Sequence, residues 1–196
     1  MFHDVPQSLL ERMKALELLD RQQREGAAPA AERLRQVPRE TGMFIALAAA
    51  SAPDGLCIEI GTSGGYSALW LALACRERGR RLVTFEVSAG KVVLARESFR
   101  MAGVEPWVRL VHGDARQHLE GYEGISFCFL DADKELYLDC YEKIVPRMVR
   151  GGVLVADNAL SHKEALEDFL DRVVSDPRLD ALVVPVGQGV VYGRKQ

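Results

Sequence analysis

At 196 residues, 48% of them apolar and 27% charged, the chain is long enough for one well-buried core and short for two, so residues 1–196 read as a single domain. A formal net charge of −3 with interspersed signs gives no broad basic face, which argues against nucleic acid as a partner and for small or neutral ligands. Cys57, Cys75, Cys128 and Cys140 show no C-x-x-C spacing and lie in apolar segments, as buried thiols of a reducing cytoplasm do.

The opening "MFHDVPQSLLERMKALELLD" has acids and bases among its apolar positions, so neither a secretory leader nor a membrane span is expected. Within it Leu9, Leu10, Met13, Leu16 and Leu19 recur at three- and four-residue steps, predicting an amphipathic helix from Ser8 to Arg24. "EGAAPAAERLRQVP" carries two prolines and a glycine and reads as a loop or weak helix; "RETGMFIALAAASAPDG" reads as a second helix stopped near Pro53. Residues 1–54 thus form a helical N-terminal part ahead of an α/β core over 55–196. From Gly55 onward the runs "LCIEIG", "RLVTFEV", "VRLVHG", "ISFCFLDA" and "GGVLVADN" alternate with helical patterns. Their near-continuous apolarity is that of parallel strands covered on both faces, with helices as right-handed crossovers, which predicts a doubly wound α/β sheet. After the helical stretch "SHKEALEDFLDRVVSD", the tail "ALVVPVGQGVVYGRK" holds two apolar runs joined by "GQG", a hairpin that makes the last strand antiparallel.

In an open α/β sheet, ligands sit at the carboxyl ends of the strands, and "GTSGG" forms the first strand-to-helix turn there. Gly61, Gly64 and Gly65 can take positive φ and lack a Cβ, so a ligand can lie against this backbone, although a tight turn alone would use the same residues. Glu86 ends the second strand 21 residues beyond Gly65, the spacing of a carboxylate that accepts hydrogen bonds from the ribose of an adenosine-type cofactor. Glu59, inside the apolar first strand, needs a partner, because an unpaired buried carboxylate costs several kcal/mol. A cationic or amino group on the ligand would serve and a pyrophosphate would be repelled, which favours S-adenosylmethionine over NAD. Backbone N–H groups near the turn are the alternative partner.

The run "EIGTSGGYSALWLA", followed by "FEV", "GDA", "FLDADK" and "ADN", resembles the S-adenosylmethionine-dependent O-methyltransferases of the catechol and caffeoyl-CoA type, from about Val37 to the C-terminus. The resemblance implies a Rossmann-like sheet of seven strands with an antiparallel last strand. It implies that Glu59, Gly61, Thr62, Ser63, Tyr66 and Ser67 form the first cofactor motif, with Glu59 near the methionine amino group and Ser67 near its carboxylate. Glu86, followed by Val87, matches the ribose acid; Asp114 and Ala115 match the loop beside the adenine; "QVPRETG", with Val37, matches the stretch that closes over the methionine end.

Asp131, Asp133, Asp157 and Asn158 fall at the same edge of adjacent strands. Two carboxylates and an amide oxygen are hard ligands suited to Mg²⁺, with Mn²⁺ or Ca²⁺ as alternatives. The family holds its divalent cation through residues matching Asp131, Asp157 and Asn158, and its general base matches Lys134; Asp133 is a secondary candidate. Asp131 is expected to serve catalysis, cofactor and metal together. The competing readings are a solvated helix-start lysine for Lys134 and a helix N-cap for the Asp157–Asn158 pair. His162 reads as first-turn residue of an exposed helix more readily than as a substrate contact; His3, His112 and His118 form no ligand spacing, and Trp70 and Trp107 read as packing. The implied activity is metal-assisted methyl transfer to a hydroxyl of a small catechol-like aromatic. A metal-independent small-molecule methyltransferase, an NAD-binding oxidoreductase and a non-catalytic S-adenosylmethionine-binding protein are the rivals. Plant members carry an insertion loop and an N-terminal arm that shape the acceptor pocket, whereas this chain has a compact N-terminus and passes quickly from Asn158 into "ALSHKEALEDFL", so acceptor identity is not inherited. Related bacterial enzymes pair through N-terminal helices, which implies a homodimer if the Leu9–Leu19 stripe meets a second subunit rather than its own sheet.

Overall fold

The computed structural model describes residues 1–26, 29 and 32–196. Its elements are α1 (Gln7–Glu25), α2 (Arg39–Ser51), β1 (Leu56–Ile60), α3 (Tyr66–Arg78), β2 (Leu82–Glu86), α4 (Ala89–Ala102), β3 (Val108–His112), β4 (Ile125–Leu130), α5 (Tyr137–Ile144), β5 (Met148–Ala156), α6 (Glu167–Ser175), β6 (Leu179–Val184) and β7 (Val190–Lys195). The seven strands form one sheet in the order β3-β2-β1-β4-β5-β7-β6. β1 to β5 pair parallel, and β7 runs antiparallel to both β5 and β6. The expected doubly wound sheet and its terminal hairpin are both present.

Side-chain alternation splits the core into two layers. Cys57, Leu82, Phe127, Phe129, Val153 and Val155 face α2, α3 and α4, while Ile58, Val83, Cys128, Leu130 and Leu154 face α5 and α6. Glu59, Asp131 and Asp157 follow the parity of the first set, so the alternation carries three acids to one side of the sheet near its carboxyl edge. All four cysteines are buried and free. β3, an edge strand, is only partly buried, which explains its polar Arg109 and His112.

The stripe of α1 is closed within the chain: Leu9, Met13 and Leu16 are buried against α3 and α4. Residues 27, 28, 30 and 31 of the proline-containing loop lie outside the described residues. Glu32–Pro38 has no regular structure but is fastened to α1: the Gln36 N–H donates to Asp20 (3.2 Å), the Leu34 N–H to Gln23 (2.9 Å), and Arg24 to the Gln36 carbonyl (3.1 Å). The last helix starts later than "SHKEALEDFL" suggests. Residues 159–163 form a turn because the N–H groups of Ala159, Leu160 and Ser161 bond to the carbonyls of Gly189 and Gln188 in the β6–β7 connection, a partner invisible to local pattern. No helix among the described residues is long and apolar enough to cross a membrane.

Candidate active site

The carboxyl ends of β1, β2, β4 and β5 open into a cleft of about 720 Å³, closed on one side by the 33–38 segment and α1. The turn after β1 has no room for a side chain at Gly61: φ is 102° and a Cβ would lie 2.0 Å from the Asp131 carbonyl. Gly65 also takes a positive φ, 93°. The expectation that Gly64 shares this role is corrected, because the third left-handed residue is Ser63 (φ 48°). Ser63 is held there by its N–H on Glu86 (2.8 Å) and its hydroxyl on the Leu34 carbonyl (2.8 Å). Gly64 serves by size instead, since a Cβ would press on Leu34 and Leu94 at 3.1 and 3.2 Å.

At the β2 end the carboxylates are well partnered. Glu86 takes the Ser63 N–H on one oxygen and the Ser88 N–H on the other, both at 2.8 Å, and each oxygen retains a lone pair for a ligand hydroxyl. Asp114 accepts the Arg116 N–H (3.0 Å), capping a short 3₁₀ turn, and the Arg116 guanidinium (2.6 Å), which holds its carboxyl below the usual range. Ala115 and Val37 are buried in the walls, and exposed Val87 lines the rim with its carbonyl bonded to His112.

Below the glycine turn the arrangement changes. Tyr66 lines the cleft, but its hydroxyl donates to Glu17 of α1 (2.6 Å), and burial, followed by that carboxylate, raises its pKa. Ser67 lines the cleft; Thr62 contributes to its wall and turns its hydroxyl to Thr84. Glu59 is fully buried and lies behind the wall. Thr84 donates to its Oε2 (2.6 Å), while Oε1 has no partner, and burial pushes the carboxyl up to about 8 against the pull of the Ser67 and Thr84 hydroxyls. The backbone N–H satisfaction weighed for Glu59 is found instead at Glu86.

At the β4–β5 end, Asp131, Lys134, Asp157 and Asn158 meet at one wall. Lys134 is no solvated helix-start lysine: its ammonium donates to the Ala132 carbonyl (2.9 Å), the Tyr137 hydroxyl (3.0 Å) and Asp131 (3.4 Å), and lies over the Tyr137 ring. Burial raises Asp131 and Lys134 counteracts it. Asp157 is pushed up to about 7 by burial and then by the charge of Asp131, and its Oδ1 is buried without a partner. Asn158 takes φ 65°, which asparagine tolerates, and its amide N–H₂ reaches toward Asp157 and Ser161 at 3.5 Å, leaving its oxygen as an acceptor. The N-cap reading of this pair is not met, since a turn follows it.

Oxygen donors with an orphaned carboxylate oxygen suit a hard divalent cation. Among the described residues no three His, Cys, Asp or Glu side chains gather for a metal, so the third protein ligand would be the Asn158 amide. Asp133 stands apart, largely exposed and paired with Arg35 at 3.9 Å. His162 is exposed on the rim in the 159–163 turn rather than a helix, with Ser161 bonded to its Nδ1 (2.9 Å). Three contributors escape the sequence reading. Thr84 hides in an apolar strand, Tyr137 in a helix start, and Gln188 reaches the cleft from "GQG", whose glycines could only be read as a turn.

Comparison with known proteins gives one answer. A profile described as "O-methyltransferase" matches residues 12–196. A catechol O-methyltransferase of Mycobacterium tuberculosis is 35% identical over 141 residues, 68% of this chain and 64% of that protein. A caffeoyl-CoA O-methyltransferase of Stellaria longipes is 29% identical over 163 residues, 70% and 67%. A Podospora anserina methyltransferase solved with SAH bound superposes with a TM-score of 0.81 at 25% identity, covering 98% of this chain and 89% of that one.

Proposed function

The chain belongs to the O-methyltransferase family, and on that premise we propose that it transfers the methyl group of S-adenosylmethionine to a hydroxyl of a small catechol-like aromatic, with a divalent cation bound by Asp131, Asp157 and Asn158. The observation that carries this reading is one continuous cleft with Glu86 at one end and Lys134, Asp131, Asp157 and Asn158 at the other. Glu86 suits the ribose hydroxyls, Asp114 and Ala115 the base, and Ser67 and Glu59 the amino-acid end. The turn beside the donor can take its tight course because Gly61 and Gly65 carry no Cβ to meet the Asp131 carbonyl and Phe99. When bound, a divalent cation would lower the pKa of the acceptor hydroxyl and hold two vicinal oxygens in place. Lys134, once its ammonium has released a proton to solvent, can take the acceptor proton as the neutral amine, oriented by Ala132 and Tyr137. The acceptor oxygen then bonds to the methyl carbon as the carbon–sulfur bond breaks, and the enzyme's share in this step is mainly alignment.

One observation favours a metal-free variant of the same chemistry: the Lys134 ammonium already rests on Asp131. Turnover with S-adenosylmethionine against catechols, single phenols and acyl thioesters, each with Mg²⁺ and with chelator, tests both readings. Catechol turnover abolished by chelator supports the first and chelator-insensitive turnover the second. Absence of S-adenosylhomocysteine binding by folded protein would overturn both. A homodimer is proposed on family likeness, through a surface other than the Leu9, Met13 and Leu16 stripe; mass in solution checks it.

A further inference from the structure

β2 reads Leu82-Val83-Thr84-Phe85-Glu86 and is buried throughout, so Thr84 places a hydroxyl where no water reaches. It stands in register with Glu59 on parallel β1, which sets the two side chains next to each other on one face of the sheet. Its Oγ1 donates to Glu59 Oε2 at 2.6 Å and also meets Thr62 Oγ1. A hydroxyl has a single proton to give. In the form a cationic ligand group would favour, with Glu59 ionised and the Thr84 proton on it, the bond between the threonines is donated by Thr62, and a directed chain runs from the glycine turn through Thr84 to Glu59. The second oxygen of Glu59 is buried behind the cleft wall with no hydrogen-bond partner among the described residues, and the Ser67 hydroxyl, which lines the cleft, pulls on the same carboxyl. Packing alone does not call for the hydroxyl at position 84, because valine has the same branched shape.

We infer that Thr84 is a positioning residue which, backed by Thr62, fixes one oxygen of Glu59 and leaves the other as the free acceptor behind the wall against which the amino-acid end of the methyl donor would lie. The inference rests on the donor reading proposed above. It gives the acid in β1 a built orientation and ties that orientation to the turn that encloses the donor.

Calorimetric titration with two ligands isolates the effect. S-adenosylhomocysteine carries the amino-acid end, and 5′-methylthioadenosine has the same nucleoside and a thioether without it. Thr84→Val is expected to weaken S-adenosylhomocysteine by about tenfold or more, the range for a hydrogen bond to a charged group, with 5′-methylthioadenosine changed by less than about twofold. Thr84→Ser should restore affinity, and Thr62→Val should show a smaller loss, about threefold, in the same ligand only. Should Thr84→Val fail to fold, Thr62→Val carries the same comparison. Unchanged S-adenosylhomocysteine affinity in the valine variants, or equal loss of both ligands, overturns the inference while leaving the donor reading intact. A wild-type protein that binds neither ligand overturns both.

Discussion

The two ends of the cleft are both built from carboxylates, but they are finished differently. Glu86 and Asp114 at the β2 side are met by backbone N–H groups and a guanidinium, so their charges are stabilised without any ligand. Asp131 and Asp157 at the β4–β5 side are buried, with one ammonium resting on Asp131 and one orphaned oxygen on Asp157, and both are raised above the usual carboxylate range. The first end is complete and suits a neutral, hydroxyl-bearing ligand. The second carries a charge arrangement that a bound cation would relieve. Glu59 belongs to neither: one oxygen is fixed, the other buried without a partner among the described residues.

The largest effect should come from the cation-deficient end. Lys134→Met removes the proposed base while leaving the β2 end untouched, so kcat should fall by about 10² to 10⁴ and S-adenosylhomocysteine affinity stay within about twofold. Equal losses in both would mean that the two ends are not separable.

Glu59 gives the next effect through pH. Its folded-state pKa of about 8 lies above the ordinary 4.5, so the folded chain binds more protons across that window. Stability is therefore greatest below about pH 4.5 as far as this group is concerned and falls as pH rises toward 8, by on the order of 5 kcal/mol. Asp157 pulls the same way up to about 7, whereas Asp114 and Asp176, whose values are lowered, act only at acid pH. Urea unfolding of the unliganded protein between pH 5.5 and 8.5 should show this decline, and Glu59→Gln should flatten most of it. Parallel slopes in the two proteins would remove Glu59 from the account.

Backbone geometry comes third. Gly61→Ala combines a clash with the Asp131 carbonyl and a left-handed φ, and should cost about 3 kcal/mol in unfolding free energy. Gly79→Ala, with φ 64° and nothing within 4 Å, is the control and should cost about 1 kcal/mol. Because Gly61 touches the strand end that bears Asp131, its variant should disturb both ends of the cleft together.

What could be read in the residues follows how local each cause is. The strands and Glu86 were legible because burial on both faces and a fixed spacing leave a pattern in one stretch of chain. Lys134 was half legible: its acceptors, Ala132, Asp131 and Tyr137, lie within three residues, but only the fold shows that they converge. Ser63 in the left-handed region, the late start of α6 and the Thr84–Glu59 pair were not, because each depends on a contact with a different strand, loop or hairpin. Thr84 in particular reads as an ordinary strand-forming residue until β1 is laid beside it.

Asp133 gives the smallest effect and the sharpest boundary. It is two residues from Asp131 and is as good an oxygen ligand by chemistry, yet about 64% of its side chain is exposed and its partner is Arg35 at 3.9 Å. An exposed pair of this kind contributes about 0.2–1 kcal/mol at best. Asp133→Ala should leave turnover within about twofold and the Mg²⁺-induced rise in melting temperature unchanged, whereas Asp157→Asn should abolish that rise. Equal loss of the Mg²⁺ response in both variants would draw the cation outward to the rim, where water and Asp133 share it. The buried orphan on Asp157 would then need another explanation, and the contrast between a finished and an unfinished end would fail at its second half.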